Sequence, residues 1–312
     1  VMLLIFESIL PIFLLVLLGA LLKRWPRISD NLWGGLEQFG FYVLFPALLF
    51  ETLAKADFST MDTGAVGTSA VLSVCVMSAL VLGLWQPLRR LGISAPAFTS
   101  IFQTATRWNA FMALAIAEKL FGQQGLTLIA VVMAVNIIPL NVINVGVMIW
   151  FSDDGRSFKD LVIRIVSNPI ILGAALGVVV NIAGITVYEP LMTAVDLVAR
   201  SSLGLGLIMV GAGLRIMDAL KPQANVILAT TLKLLVFPLV ITGIALLLGV
   251  EGDTLTMLAL SAAVPTAMNG YLLAKQMGGD APLYAAAATV QTVAAVVTIP
   301  LVLYFSGQLA AG

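Results

Sequence analysis

Two short polar stretches sit inside long apolar runs, and their residues have the chemistry to hold an anion. The stronger is Ala263-Val264-Pro265-Thr266-Ala267-Met268-Asn269-Gly270-Tyr271. Proline fixes its own φ and removes a backbone donor, so a helix kinks or breaks there. Gly270, five residues on, loosens the backbone again. A weaker copy lies 160 residues earlier, Ala105-Thr106-Arg107-Trp108-Asn109-Ala110-Phe111. Thr106 matches Thr266, Asn109 matches Asn269 and Phe111 matches Tyr271. In lipid, freed backbone groups are tolerated only where protein buries them or a watery cavity receives them. Paired breaks in two halves of a chain point to a transporter's binding site. A half-helix that starts at a break exposes unpaired N–H groups and a partial positive charge, which suits a carboxylate.

Asn109 and Asn269 each offer a donor and an acceptor. They can be internal caps and interhelical glue, or contacts to a ligand oxygen; their recurrence at matched breaks favours the ligand. Thr106 and Thr266 can serve the same site through their hydroxyls, or bond back to their own helices. Pro265 and Gly270 shape the second break. Lys233 lies about 14 Å into its apolar run at 1.5 Å per residue, near the midplane. A charge there costs about 3 kcal/mol, so something must offset it. Its ammonium either neutralises the C-terminal end of a half-helix, faces an anionic substrate, or snorkels to an interface. Arg107 can fork onto a carboxylate, pair with Glu118, or stabilise the break. Asn136, Asn141, Asn144, Gln291 and Thr292 are polar positions in apolar helices that pack around the breaks, with a subset lining the site. Asp196 and Arg200, four apart, form a local pair. Pro139, Pro238 and Pro300 are expected kinks, and the glycines of Gly204-Leu205-Gly206 and Gly211-Ala212-Gly213 suit close helix contact.

The elements that position these residues are membrane helices. Of 312 residues, 60% are hydrophobic and 10% charged, with mean hydropathy +1.07; soluble domains carry about 25% charged residues. The apolar runs are about 20 residues long and lack the alternation of barrel strands. Ten spans are expected, at roughly 3–22, 34–54, 64–85, 96–119, 125–151, 162–184, 192–215, 224–248, 254–277 and 281–306. The first run is too long for a signal core and lacks a basic leader, so it reads as a span. The longest polar connection runs from Ser152 to Asp160.

Loop charge sets the orientation. Lys23, Arg24, Arg27, Arg89, Arg90, Arg156, Lys159, Arg164, Arg215, Lys221 and Lys275 follow or flank odd-numbered spans, whereas even-numbered loops hold Lys55 and Lys119. The odd side is cytoplasmic and both termini face outward, as expected of an inner-membrane protein. Pro11 and Pro169 stand 158 residues apart, and the same offset takes Pro46 to Gly204. The offset is 160 at the breaks, and Trp150-Phe151 parallels Tyr304-Phe305 at the ends. The unit is five spans, 1–151 and 152–312, and an odd number inverts the second copy.

The stretch from Pro265 through Asp280 resembles the ninth span of the auxin efflux carrier family. Thr106-Arg107-Trp108-Asn109-Ala110-Phe111 resembles its fourth, and Leu44-Phe45-Pro46-Ala47-Leu48-Leu49-Phe50 its second. The likeness covers essentially the whole chain. It implies ten helices, with spans 1, 2, 6 and 7 as a scaffold and spans 3–5 and 8–10 as a moving transport domain. It also implies a homodimer through the scaffold and a carboxylate-bearing substrate. Plant exporters of this family have proline at both breaks; here position 105 is alanine. The first break is therefore either softer or held open by Asn109 and Gln103.

The chain reads as an all-α secondary transporter of a small organic anion, working by alternating access, with its site where broken helices 4 and 9 cross. Cation-coupled symport and a ligand-binding sensor on the same fold are the alternatives. Zero net charge suggests no nucleic-acid partner, one cysteine (Cys75) excludes an internal disulfide, and there is no histidine. An intramembrane enzyme would lack the usual nucleophile, base or metal cluster, and no cofactor is implied. A channel is disfavoured by the inverted halves.

Overall fold

The computed structural model describes residues 2–58, 62–151, 167–215, 223–267 and 270–310, and these fold as helices and short connections. In chain order the helices are α1 (Met2–Leu22), α2 (Asp30–Phe39), α3 (Phe45–Ala54), α4 (Thr63–Gly83), α5 (Trp85–Arg90), α6 (Ala95–Thr106) and α7 (Ala110–Phe151). There follow α8 (Pro169–Ile182), α9 (Glu189–Ala212), α10 (Ala224–Thr231), α11 (Phe237–Leu247), α12 (Gly252–Ala263), α13 (Gly270–Gln276) and α14 (Ala281–Ala310). Among the described residues, seven helical segments are long and apolar enough to cross a bilayer: Ile5–Leu22, Asp30–Ala54, Thr63–Arg90, Ala95–Phe151, Glu189–Ala212, Ala224–Leu247 and Ala281–Ala310. The polar connection from Ser152 to Asp160 lies outside the described residues, as does the start of the expected span 162–184.

Local chemistry explains where helices start and bend. Asp62, Ser94 and Asn168 each accept a backbone N–H from the first turn that follows them, which satisfies donors no helix can satisfy itself. Pro46 and Pro238 are each preceded by a widened π turn, Gly40–Leu44 and Leu232–Val236. A proline ring collides with the carbonyl four residues back, and the wider turn gives it room. Helices α7 and α14 run on through Pro139 and Pro300. The departure from helical angles inside α7 falls instead at Gly122, with φ 59° and ψ −145°, a conformation open to a residue without Cβ.

Packing groups the helices into two sets, which meet where α1 touches α14 and α7 and where α3 and α9 touch α7. In the first, α1 lies along α9, and α3 lies along α8 and α9. These contacts are backbone-close. A Cβ on Gly211 would sit 1.8 Å from the Val16 carbonyl oxygen, and one on Gly19 would sit 1.9 Å from that of Ile208. Gly173 and Gly177, a small-xxx-small pair on α8, abut the carbonyl oxygens of Pro46 and Phe50 at 2.6 and 2.7 Å on the same construction. Close contact also holds at Gly206, against the Phe111 ring, but Gly204 faces open space. In the second set, α4 packs on α6, α7 and α11, while α12 packs on α7, α11 and α14. The α14 helix also contacts α6 and α10. The polar centre described next belongs to this second set.

Candidate functional site

Both polar stretches interrupt their helices. The first leaves α6 at Thr106, where Arg107 is extended (φ −72°, ψ 156°), and re-enters helix at Ala110. The second leaves α12 at Ala263, with Val264 extended (φ −68°, ψ 149°), and re-enters at Gly270. The interruptions touch: the Asn109 N–H donates to the Pro265 carbonyl at 2.8 Å. In an unbroken helix that N–H would go to Ala105, four residues back. Each break therefore supplies a partner for a group the other has freed.

Gln291 and Lys233 complete the repair. Breaking α12 releases the Thr266 N–H and the Ala262 carbonyl, which helical geometry would have joined. The Thr266 N–H donates to Gln291 Oε1 at 2.9 Å, and Lys233 Nζ donates to the Ala262 carbonyl at 3.0 Å. Gln291 Nε2 also donates to the carbonyls of Thr104 and Ala229, both at 3.2 Å. One amide thus spans the end of α6, the second break and α10. Lys233 is fully buried inside the π turn before Pro238 and lies 4.5 Å from the Phe237 ring centroid.

The remaining candidates divide. Asn109 Oδ1 accepts the Met112 N–H at 3.2 Å, so it caps the restarting helix. Thr106 Oγ1 bonds back to the Phe102 carbonyl at 2.9 Å and also reaches Asn144 Oδ1 at 3.2 Å. Thr266 Oγ1 lies 3.0 Å from the Tyr284 hydroxyl. Arg107 is buried and its Nε donates to Gln103 Oε1 at 3.3 Å. The alternative pair with Glu118 does not form: Glu118 is exposed, and no described carboxylate forms an ion pair with Arg107 or Lys233. Gln103 Nε2 and Asn136 Oδ1 are buried without a partner among the described residues. Asn141 bonds back to the Ile137 carbonyl at 2.7 Å. The Arg200–Asp196 pair is present at 2.7 Å. Asn269 lies outside the described residues.

Tyr284 is the residue that sequence reasoning missed. It is fully buried, its hydroxyl donates to the Ala267 carbonyl at 2.5 Å, and a Cβ on Gly270 would sit 2.2 Å from that hydroxyl. A signal was available. A buried tyrosine needs a partner for its hydroxyl, and Tyr284 stands seven residues before Gln291, two turns along one face. Several contacts join this centre to the first set of helices. The Phe111 ring lies against Gly206 and, tilted, against Phe45 at 3.8 Å between centroids, the Arg215 N–H donates to Thr289 Oγ1 at 3.0 Å, and Arg215 Nη2 donates to the Tyr271 hydroxyl at 2.6 Å.

Long apolar helices, two of them interrupted at a buried polar centre, define an integral membrane protein. Residues 4–303 match the family described as Membrane transport protein, and the chain belongs to that family, the auxin efflux carriers. It is 24% identical over 296 residues to an uncharacterized transporter of Methanothermobacter thermautotrophicus, covering 95% of this chain and 96% of that one. It is 22% identical over 308 residues to the uncharacterized transporter YfdV of Escherichia coli, covering 96% of each. A Rhizobium meliloti protein described as "Putative malonate transporter" is 25% identical over 313 residues, covering 97% of each.

Proposed function

We propose that this chain is a secondary carrier of a small carboxylate anion, held where the two interruptions meet. The observation that carries the reading is the Asn109–Pro265 bond between the breaks, flanked by two buried cations, Arg107 and Lys233, with no described carboxylate to neutralise them. Unpaired buried charge is costly in a membrane, and a bound dianion would relieve it. A small dicarboxylate has the matching charge, and malonate, named in the Rhizobium meliloti relative's description, is one. In this reading Arg107, Gln103, Asn109, Asn269, Thr106, Thr266, Pro265 and Gly270 form the site. Asn136 and Gln291 support it, and Lys233 sits at its edge.

The wider architecture follows the same reading. The segment Ala95–Phe151 contains two spans parted at Gly122, Pro169–Ile182 belongs to a sixth, and α12 with α13 makes a broken ninth, which gives ten. Under inversion the α1–α9 and α3–α8 contacts are counterparts, and both are glycine-mediated. That supports inverted repeats 1–151 and 152–312, and a scaffold of spans 1, 2, 6 and 7. The apolar outer faces of α8 and α9, including Leu172, Leu176, Val179, Leu191 and Leu197, would serve a homodimer. Alternating access follows because the site residues are buried, so the second helix set must move against the first to expose them. The protein would lie in the inner membrane with both termini outside, by the Lys and Arg excess on the opposite loops.

The test is thermal unfolding of purified protein in detergent with malonate, malate, succinate, acetate or chloride at equal ionic strength. A ligand at 100 times its Kd stabilises the folded state by about 2.7 kcal/mol. A dicarboxylate should raise the melting temperature where acetate and chloride do not. No response to any carboxylate would overturn the reading.

A further inference from the structure

We propose that Lys233 is a tethered cation. Its ammonium occupies the place where a carrier of this plan would otherwise hold a coupling metal ion, so the second break works without sodium. This deepens the carrier reading above and rests on it.

The chemistry at the end of α12 is that of a cation site. The helix stops at Ala263, and its last carbonyls carry about half a negative charge. The Ala262 carbonyl has lost its helical donor to Gln291 and points to Lys233 Nζ. In carriers with discontinuous helices, half-helix C-terminal ends and unwound carbonyls coordinate the coupling cation. Here the positive charge arrives on a side chain. Lys233 is fully buried, the Phe237 ring face lies against it, and no described carboxylate pairs with it. Its partners are therefore a helix end and an aromatic face, both of which attract a cation of any kind. At the end of α6 the buried cation is Arg107, whose Nε donates to the Gln103 side chain rather than to a freed carbonyl, and the neutral amide of Gln291 serves the Thr104 carbonyl. Lys233 acts through α12: by fixing that helix end it sets the Pro265 carbonyl that receives Asn109, and so positions the site.

The experiment uses purified full-length protein, with sodium chloride exchanged for choline chloride, with and without malonate. Wild type should unfold at the same temperature in both salts, and malonate should stabilise it equally in both. Lys233→Ala removes the three carbons and the nitrogen of propylammonium. It should lose the malonate response and regain it with added propylammonium but not with propanol. Lys233→Met fills the volume without charge and should also lose the response. A wild type stabilised by sodium but not choline would overturn the proposal, as would Lys233→Met responding like wild type or propanol rescuing as well as propylammonium. Should Lys233→Ala fail to fold, the salt exchange on wild type and the methionine variant still decide. Should malonate not stabilise wild type, the carrier reading fails, yet the salt exchange on ligand-free protein still tests the cation.

Discussion

Gln291→Leu should destabilise the protein by about 4 kcal/mol, because leucine fills much of the space and satisfies none of the groups. Two of the glutamine's partners are groups that the breaks set free, the Thr266 N–H and the Thr104 carbonyl. A buried polar group left unsatisfied costs about 1–3 kcal/mol, and these two lie in a fully buried centre. The same change removes a side chain that by itself ties the end of α6 to the second break, so malonate stabilisation should vanish with it. The neighbouring Thr292→Ala is the control. Thr292 Oγ1 bonds back to the Ala288 carbonyl at 2.8 Å, an interaction of little net value within a helix. Thermal or denaturant unfolding in detergent separates the two: a large loss for Gln291→Leu, little change for Thr292→Ala. Equal effects would mean that Gln291 merely fills space.

Gly211→Ala carries the second large effect. The added carbon would sit 1.8 Å from the Val16 carbonyl oxygen, with the Ala20 nitrogen 3.0 Å away. Both obstacles are backbone, so no rotamer can yield, and α1 must move off α9. Overpacking of this kind costs about 3 kcal/mol. Gly204→Ala, on the same helix, meets nothing within 4 Å and should be neutral or gain about 0.5–1 kcal/mol from lower backbone entropy. A large loss from one and none from the other, for two identical substitutions seven residues apart, is an outcome that helix propensity alone does not produce. Melting temperatures of the two variants, measured side by side, check it.

The membrane class and the second interruption were legible because hydropathy and proline act locally, and Pro265 removes a donor whatever surrounds it. The first interruption, with alanine at position 105, was legible through its match to the second at Thr106 and Asn109. The buried depth of Lys233 followed from counting residues along its apolar run, and its carbonyl partner was one of the readings left open. That Thr106 and Asn109 spend hydroxyl and amide oxygen on their own helices was likewise a reading left open, because it depends on the turn geometry at the break, which spacing does not fix. Two features were not legible, each for a physical reason. The reach of Gln291 to three backbone groups depends on how α14 crosses α6 and α10. The choice among Gly204, Gly206 and Gly211 for close contact depends on which face of α9 meets α1 and which meets Phe111 of α7, and a run of small residues is ambiguous about its facing side. Tyr284 could have been read from its spacing to Gln291, and the bond it makes to Ala267 explains why Gly270 cannot carry a side chain.

Equilibrium binding of radiolabelled malonate to the purified protein bears most directly on an anion held between the two interruptions. Arg107→Gln and Asn269→Ala should each weaken binding by about 30-fold, the equivalent of roughly 2 kcal/mol, for loss of a charge-assisted contact. Asn141→Ala, whose amide serves its own helix, should bind as wild type does. Undiminished affinity in both Arg107→Gln and Asn269→Ala would place the anion elsewhere and contradict the site.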